Sequence, residues 1–210
     1  FPSPCHTDAD IKKLLQQCSA VIQSGIQALQ YRFKGVDKQQ RLQTARMLKS
    51  QCHACEPPIA LIINDDLELA LEVGADGLHL GPEDTDLRKA RRVMGPDKIL
   101  GASCRGSKQL ALAAAEAGAD YLSFGCCFPS TTKPNAPLLP AQQRADLVET
   151  ARNLGLSALL IGGINSANIS QLAPAAPDCI AVSSGLFDAS DPKQERRTLM
   201  QALAALQKGQ

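Results

Sequence analysis

Two stretches of this chain place cations and hydroxyls where a run of β-forming residues gives out. One is Gln30-Tyr31-Arg32-Phe33-Lys34, and the other is Ser130-Thr131-Thr132-Lys133, after an apolar segment ending in Gly125. Between them, Asn64-Asp65-Asp66 and Asp84 put carboxylates in the same kind of position. Arg presents a planar fork of donors and Lys a point charge, and both match phosphate oxygens. Neighbouring carboxylates suit a hard cation that shares its coordination between protein and phosphate. A strand-end ring of Arg, Lys, Asp, Ser and Thr is therefore what a Mg²⁺–diphosphate substrate needs.

The elements that position these groups follow from periodicity. Residues 8–23 read as a helix with Thr7 or Asp8 as N-cap and Ile11, Leu14, Leu15, Cys18, Val21 and Ile22 on one stripe. Gly25 stops it, Ile26–Arg32 reads as a strand, 38–53 as an amphipathic helix, and Ile59–Ile63 as a buried parallel strand. Helices over 66–72, 85–93, 107–117, 140–153, 166–172 and 191–207 alternate with strands over 77–80, 98–103, 120–124, 157–161 and 178–183. An internal repeat supports the alternation: Glu72–Gly81 aligns without gaps on Glu116–Gly125, and Ala176–Ser183 is a degraded third copy. Each copy is a helix end, a Gly or Pro stop, a turn Asp and a short strand.

Repeated αβ units with short connections imply one parallel sheet with helices outside. The pattern predicts a single domain over 1–210, an α/β chain folded as a (β/α)₈ TIM-type barrel. Seven strands are legible, so the first is atypical or missing: Phe1–His6 holds two prolines and little β pattern. In such folds functional groups sit at the C-terminal ends of strands. That rule collects Gln30, Arg32 and Lys34; Asn64, Asp65 and Asp66; Asp84; Ser103; Ser130, Thr132 and Lys133; Gly162-Gly163; and Ser183-Ser184.

Composition narrows the function classes. A net charge of +1, no Lys/Arg block and 3% aromatic residues exclude a nucleic-acid groove, which needs a basic stripe and stacking rings. No apolar run reaches the roughly 20 residues of a membrane span. Phe1-Pro2-Ser3-Pro4 lacks the basic and apolar regions of a signal peptide, so a cytoplasmic protein acting on small molecules is expected, with a homo-oligomer left open. Several of the eight cysteines fall in apolar stretches, where a free thiol is a small hydrophobe. Cys52-His53-Ala54-Cys55 has metal-like spacing but no second pair, and ends a helix rather than starting one. Packed thiols are the reading for that pair, and wall for Cys126-Cys127.

With these motifs in order, the chain resembles the thiamine phosphate synthase family from about Ser24 to about Phe187. The resemblance rests on LQYRFKG, INDD, GADGLHLGPED, GAS, FPSTTKP, IGGI and the last strand before Ser183-Ser184. It implies substrates of hydroxymethylpyrimidine diphosphate and hydroxyethylthiazole phosphate, joined to thiamine phosphate with release of diphosphate. It further implies that Gln30, Arg32, Lys34, Asn64, Ser103 and Lys133 hold the pyrimidine diphosphate, with Arg32, Lys34 and Lys133 acting in catalysis. Asp65 and Asp84 would ligate Mg²⁺, and Ser130, Thr132, Gly163, Ser183 and Ser184 would hold the thiazole phosphate. Such a reaction needs no general base of tuned pKa, which matches a constellation lacking Ser-His-Asp or Cys-His. Two departures stand out: Phe33 where an acidic residue is common, and Ser130 where Thr is usual.

Plainer readings compete residue by residue. Arg32 and Lys34 also suit a solvated strand edge, Asp66 a helix cap, and Asp76, Asp120 and Asp178 turns. His79 alternates with Leu78 and Leu80 inside a strand, so it either faces the barrel interior or packs in a layer, and is not read as catalytic. For the whole chain, a thiazole tautomerase shares the fold and Ile180-Ala181-Val182-Ser183-Ser184-Gly185 but lacks the paired Mg²⁺ carboxylates. A non-catalytic phosphate-ligand-binding barrel is the other alternative.

Overall fold

The computed structural model describes residues 8–33, 37–130 and 134–208. The strands are β1 (Ala28–Tyr31), β2 (Ala60–Asn64), β3 (Gly77–Leu80), β4 (Ile99–Arg105), β5 (Tyr121–Phe124), β6 (Ser157–Ile161) and β7 (Cys179–Ala181). They form one parallel sheet in chain order, β1 through β7. The helices are α1 (Asp8–Gln23), α2 (Lys38–His53), α3 (Leu67–Val73), α4 (Leu87–Met94), α5 (Lys108–Glu116), α6 (Ala141–Asn153), α7 (Ser184–Phe187) and α8 (Pro192–Lys208). The expected (β/α)₈ barrel is borne out in part: among the described residues the sheet is parallel and has seven strands, with β1 and β7 at its two ends. The expected atypical first strand falls on residues outside the described ones, as do Thr7, Lys34, Thr132 and Lys133.

Alternation sorts the strand residues. Leu29, Tyr31, Phe33, Leu61, Ile63, Leu78, Leu80 and Leu100 pack with Leu14, Cys18, Leu48 and Ala90 of the helices in one core cluster. Ala102, Cys104, Leu122, Phe124, Ala158 and Leu160 do the same with Leu147, Val148, Leu199 and Leu203 in a second. The intervening residues (Gln30, Ile62, Asn64, His79, Gly101, Ser103, Tyr121, Ser123) therefore face the concave side of the curled sheet.

The repeat aspartates do more than turn the chain. Asp76, Asp120 and Asp178 each accept the backbone N–H of the preceding strand, from Leu61 (2.8 Å), Leu100 (2.6 Å) and Ala158 (2.8 Å). Each also pairs with a base from the helix side: His53 at 2.9 Å, Arg91 at 2.6 Å and Arg152 at 3.9 Å. One carboxylate thus ties a strand start to its neighbour and to the covering helix, and the repeat is a register device.

Two expected elements changed. Over 166–172 only a 3₁₀ turn, Ile169–Leu172, forms. Asn168 Oδ1 accepts from Asn165 N and Asn165 Oδ1 from Ala167 N, local bonds that compete with a helix start. The last strand stops at Ala181 because the chain turns directly into α7. The cysteine reading stands where it is described: Cys52, Cys55, Cys104, Cys127 and Cys179 are free thiols. Burial holds Cys52 and Cys104 protonated, their pKa values pushed up to about 12. No helix among the described residues is long and apolar enough to cross a membrane.

Candidate functional site

At the C-terminal end of β1, Gln30 is exposed and Arg32 half-buried, while Tyr31 and Phe33 turn into the core and stack at 5.7 Å. Phe33 is 7% exposed, so the position where an acid is common carries packing. β2 ends on Asn64. Asp65 follows in the left-handed region (φ 67°), a conformation that Asp adopts more readily than most residues. Its N–H donates to His79 O at 2.9 Å, which carries the β2–β3 ladder one residue beyond Asn64. Asp66 caps α3, accepting from Leu69 N at 2.9 Å as the sequence predicted, and also pairs with Arg41 Nη1 at 3.1 Å.

Beyond β3 the chain loops through Gly81 to the exposed Asp84, whose Oδ2 accepts from Gly81 N at 2.7 Å. A side chain at position 81 would come within 3.1 Å of that oxygen, so the close turn favours glycine. Arg32, Asn64, Asp65 and Asp84 line one cleft of about 510 Å³, with Arg41, Asp66, Glu68 and Lys89 completing its wall. Residues predicted from three separate strand ends are brought together. Arg41 and Lys89 were missed; both lie on helices, and the only hint was a cation soon after the Asp37 cap that follows a functional strand end. Among the described residues no three carboxylate, imidazole or thiol groups converge as a preformed metal cage.

Beneath this rim lies a polar network on the concave face. His79 Nδ1 is 2.9 Å from Tyr121 Oη and its Nε2 is 3.3 Å from Ser123 Oγ, with the two rings stacked at 5.5 Å. His79 is 8% exposed. Burial raises the Tyr121 phenol well above its usual range, so it stays neutral. Ser103 is registered opposite Ser123 on the same face, half-buried, and is not part of the cleft wall.

The second group of predicted residues gathers at the ends of β5, β6 and β7. Cys127 N donates to Ile161 O and Phe128 N to Gly162 O, both at 3.0 Å, so the loop leading to Ser130 runs beside the β6 end. Gly163, at φ 62°, is pressed against this loop: a Cβ there would lie 2.3 Å from Pro129 O. Ser184-Gly185 abuts the same turn, since a Cβ on Gly185 would lie 2.8 Å from Ile164 O. Ser130, Gly163, Ser183 and Ser184 therefore share one quarter of the rim. A second cleft of about 420 Å³ beside α7 and α8 is lined by Ser184 and Gly185 together with Asp188, Asp191 and Glu195.

Known proteins resemble this chain over most of its length. The chain is 44% identical over 199 residues to the thiamine-phosphate synthase of Thiobacillus denitrificans, covering 93% of this chain and 90% of that one. It is 44% identical over 190 residues to the thiamine-phosphate synthase of Chromobacterium violaceum, covering 90% and 89%. The solved structure of a thiamine phosphate pyrophosphorylase from Pyrococcus furiosus superposes with a TM-score of 0.80 at 28% identity, over 95% of this chain and 93% of that one. The family model described as thiamine monophosphate synthase matches residues 4–186, which takes in every strand and every rim residue above, and this chain belongs to that family.

Proposed function

We propose that this chain condenses hydroxymethylpyrimidine diphosphate with hydroxyethylthiazole phosphate to give thiamine phosphate and diphosphate. The observation that carries the reading is the cleft in which Arg32, Asn64, Asp65 and Asp84 meet. Two carboxylates beside a guanidinium are a hard-oxygen donor set that fits Mg²⁺, which takes one or two protein carboxylates and completes its shell with phosphate oxygens and water. Asp65 and Asp84 would hold it, and when bound it supplies positive charge to the departing diphosphate.

Arg32, with Gln30, Lys34 and Lys133, binds the diphosphate and stabilises the charge that grows on it as the methylene C–O bond breaks. The electron pair leaves with diphosphate, and the pyrimidine methylene becomes cationic. Asn64 orients the pyrimidine, and Ser103 completes its side of the site. Ser130, Thr132, Gly163, Ser183 and Ser184 hold the thiazole phosphate so that the ring nitrogen donates its pair to that methylene and forms the new C–N bond. Alignment and charge stabilisation supply the rate, with no proton transfer in the bond-forming step. The carboxylates sharing one cleft favour this synthase over the tautomerase and the binding-only barrel. A full (β/α)₈ barrel in one domain, working in the cytoplasm on small molecules, completes the reading; the free thiols at Cys52, Cys55, Cys104, Cys127 and Cys179 suit a reducing compartment.

The test is a coupling assay with both substrates, with and without Mg²⁺, following thiamine phosphate by thiochrome fluorescence. Mg²⁺-dependent product that is lost in Asp65→Ala is the expected result. Folded protein that gives no product overturns the reading.

A further inference from the structure

Adjacent carboxylates at a metal site raise the question of which one the metal takes. Asp66 has both oxygens engaged: Oδ1 accepts the Leu69 N–H at 2.9 Å and Oδ2 lies 3.1 Å from Arg41 Nη1. Arg41 is held from two sides, its N–H donating to Asp37 O at 3.1 Å and its carbonyl accepting from Tyr31 Oη at 3.4 Å. Its Nε is buried and has no hydrogen-bond partner among the described residues. A buried donor without an acceptor is unfavourable, so the side chain is kept in place by what its terminal nitrogens reach. Both partners line the diphosphate cleft, with side chains 30% and 25% exposed.

Resting on the reading given under Proposed function, we propose that Arg41 is a positioning residue that keeps Asp66 out of the metal site, so that a divalent cation takes Asp65 and Asp84. Without Arg41, Asp66 Oδ2 becomes a further uncompensated anionic oxygen in the cleft. A lone cation then binds more tightly and in the wrong place, whereas an anionic diphosphate meets more negative charge and binds more weakly. Opposite movement of the two affinities separates this role from general loosening, which lowers both. It also separates it from direct phosphate contact, which leaves the cation unaffected.

The experiment measures Mn²⁺ binding to the protein alone by electron paramagnetic resonance, and inorganic diphosphate binding in the presence of Mg²⁺ by calorimetry. In Arg41→Met the half-screened charge change is expected to tighten Mn²⁺ by about three- to tenfold and weaken diphosphate by a similar factor. Asp66→Asn keeps a good cap and leaves Arg41 uncompensated, so it should show the reverse pattern. The double variant should return both affinities to within about twofold of wild type, as cancelling charges require. Arg41→Met and the double variant sharing the same loss of both affinities would overturn the proposal, as would Asp66→Asn moving neither. An Asp65→Asn control isolates the underlying reading: if it leaves Mn²⁺ binding unchanged, the metal site itself is misplaced, whatever Arg41 does.

Discussion

Gly101 gives the sharpest test of how the concave face is built. A Cβ on this residue would lie 2.1 Å from Tyr121 Cζ, 2.3 Å from its Oη and 2.4 Å from Cε1. Carbon contacts settle near 3.5–4 Å, so in Gly101→Ala the ring must retreat by about 1.5 Å. Tyr121 is joined to His79 at 2.9 Å and stacked on it, and His79 is joined to Ser123, so the ring cannot move alone. Overpacking of this kind costs about 1–3 kcal/mol, and loss of the Tyr121–His79 bond adds about 1 kcal/mol. The expected destabilisation is therefore about 2–4 kcal/mol, a fall in Tm of about 5–15 °C for a chain of this size. Without the clash the sign reverses, because replacing glycine in a strand by alanine stabilises by about 0.4–1 kcal/mol through the unfolded chain. Urea denaturation monitored by circular dichroism, with the m-value checked for constancy, decides between them. His79 is registered opposite Asn64, so KM for the pyrimidine diphosphate should rise more than KM for the thiazole phosphate. A Gly101→Ala protein as stable as wild type, or more so, refutes the packing argument.

Three further outcomes follow from named contacts. Gly163→Ala must accommodate a Cβ 2.3 Å from Pro129 O at φ 62°; steady-state kinetics should show KM for the thiazole phosphate rising at least about tenfold (about 1.4 kcal/mol) with the pyrimidine KM little changed. Asp120→Ala leaves the buried Leu100 N–H without its 2.6 Å acceptor and should lower unfolding free energy by about 1–3 kcal/mol, while kcat at 25 °C stays within about twofold because the residue lies at the strand starts, away from the rim. For Asp76, burial alone pushes the carboxyl pKa up, but the Leu61 N–H and the His53 ring outweigh it and hold it below its ordinary value. A depressed folded pKa contributes stability above the unfolded value of about 4 and loses it as pH falls through the folded one. Asp76→Asn should therefore flatten the acid limb of a stability–pH curve below about pH 5, and an unaltered acid limb would count against the tether.

Much of the architecture was legible because its causes are local. Helix stripes such as Leu14, Cys18, Val21 and Ile22, and the apolar run that holds Ile59, Leu61, Ile62 and Ile63, declare their burial through spacing alone, and these residues are buried as expected. Strand ends were legible because the chain turns from apolar to polar there, so Arg32, Asn64, Asp65 and Asp84 could be named before their meeting was visible. The helix over 166–172 failed because asparagine side chains bonding nearby amides leave no periodic signature. The repeat aspartates read as turns because a bond from Asp120 to Leu100 spans 20 residues and follows from parallel pairing, not from neighbours in the chain.

The sequence by itself determined the alternation of elements, the membership of the strand-end ring and the family to which its motifs belong. Only the tertiary structure decided that Arg41 on α2 reaches Asp66, so that two adjacent aspartates have different surroundings. It alone closed Tyr121 over Gly101 onto His79 and pressed Gly163 against the Phe128-Pro129 carbonyls. The physical reason is common to all three: periodicity and composition report what each residue prefers, whereas which oxygens are engaged and where a Cβ has no room depend on strands brought side by side by the fold.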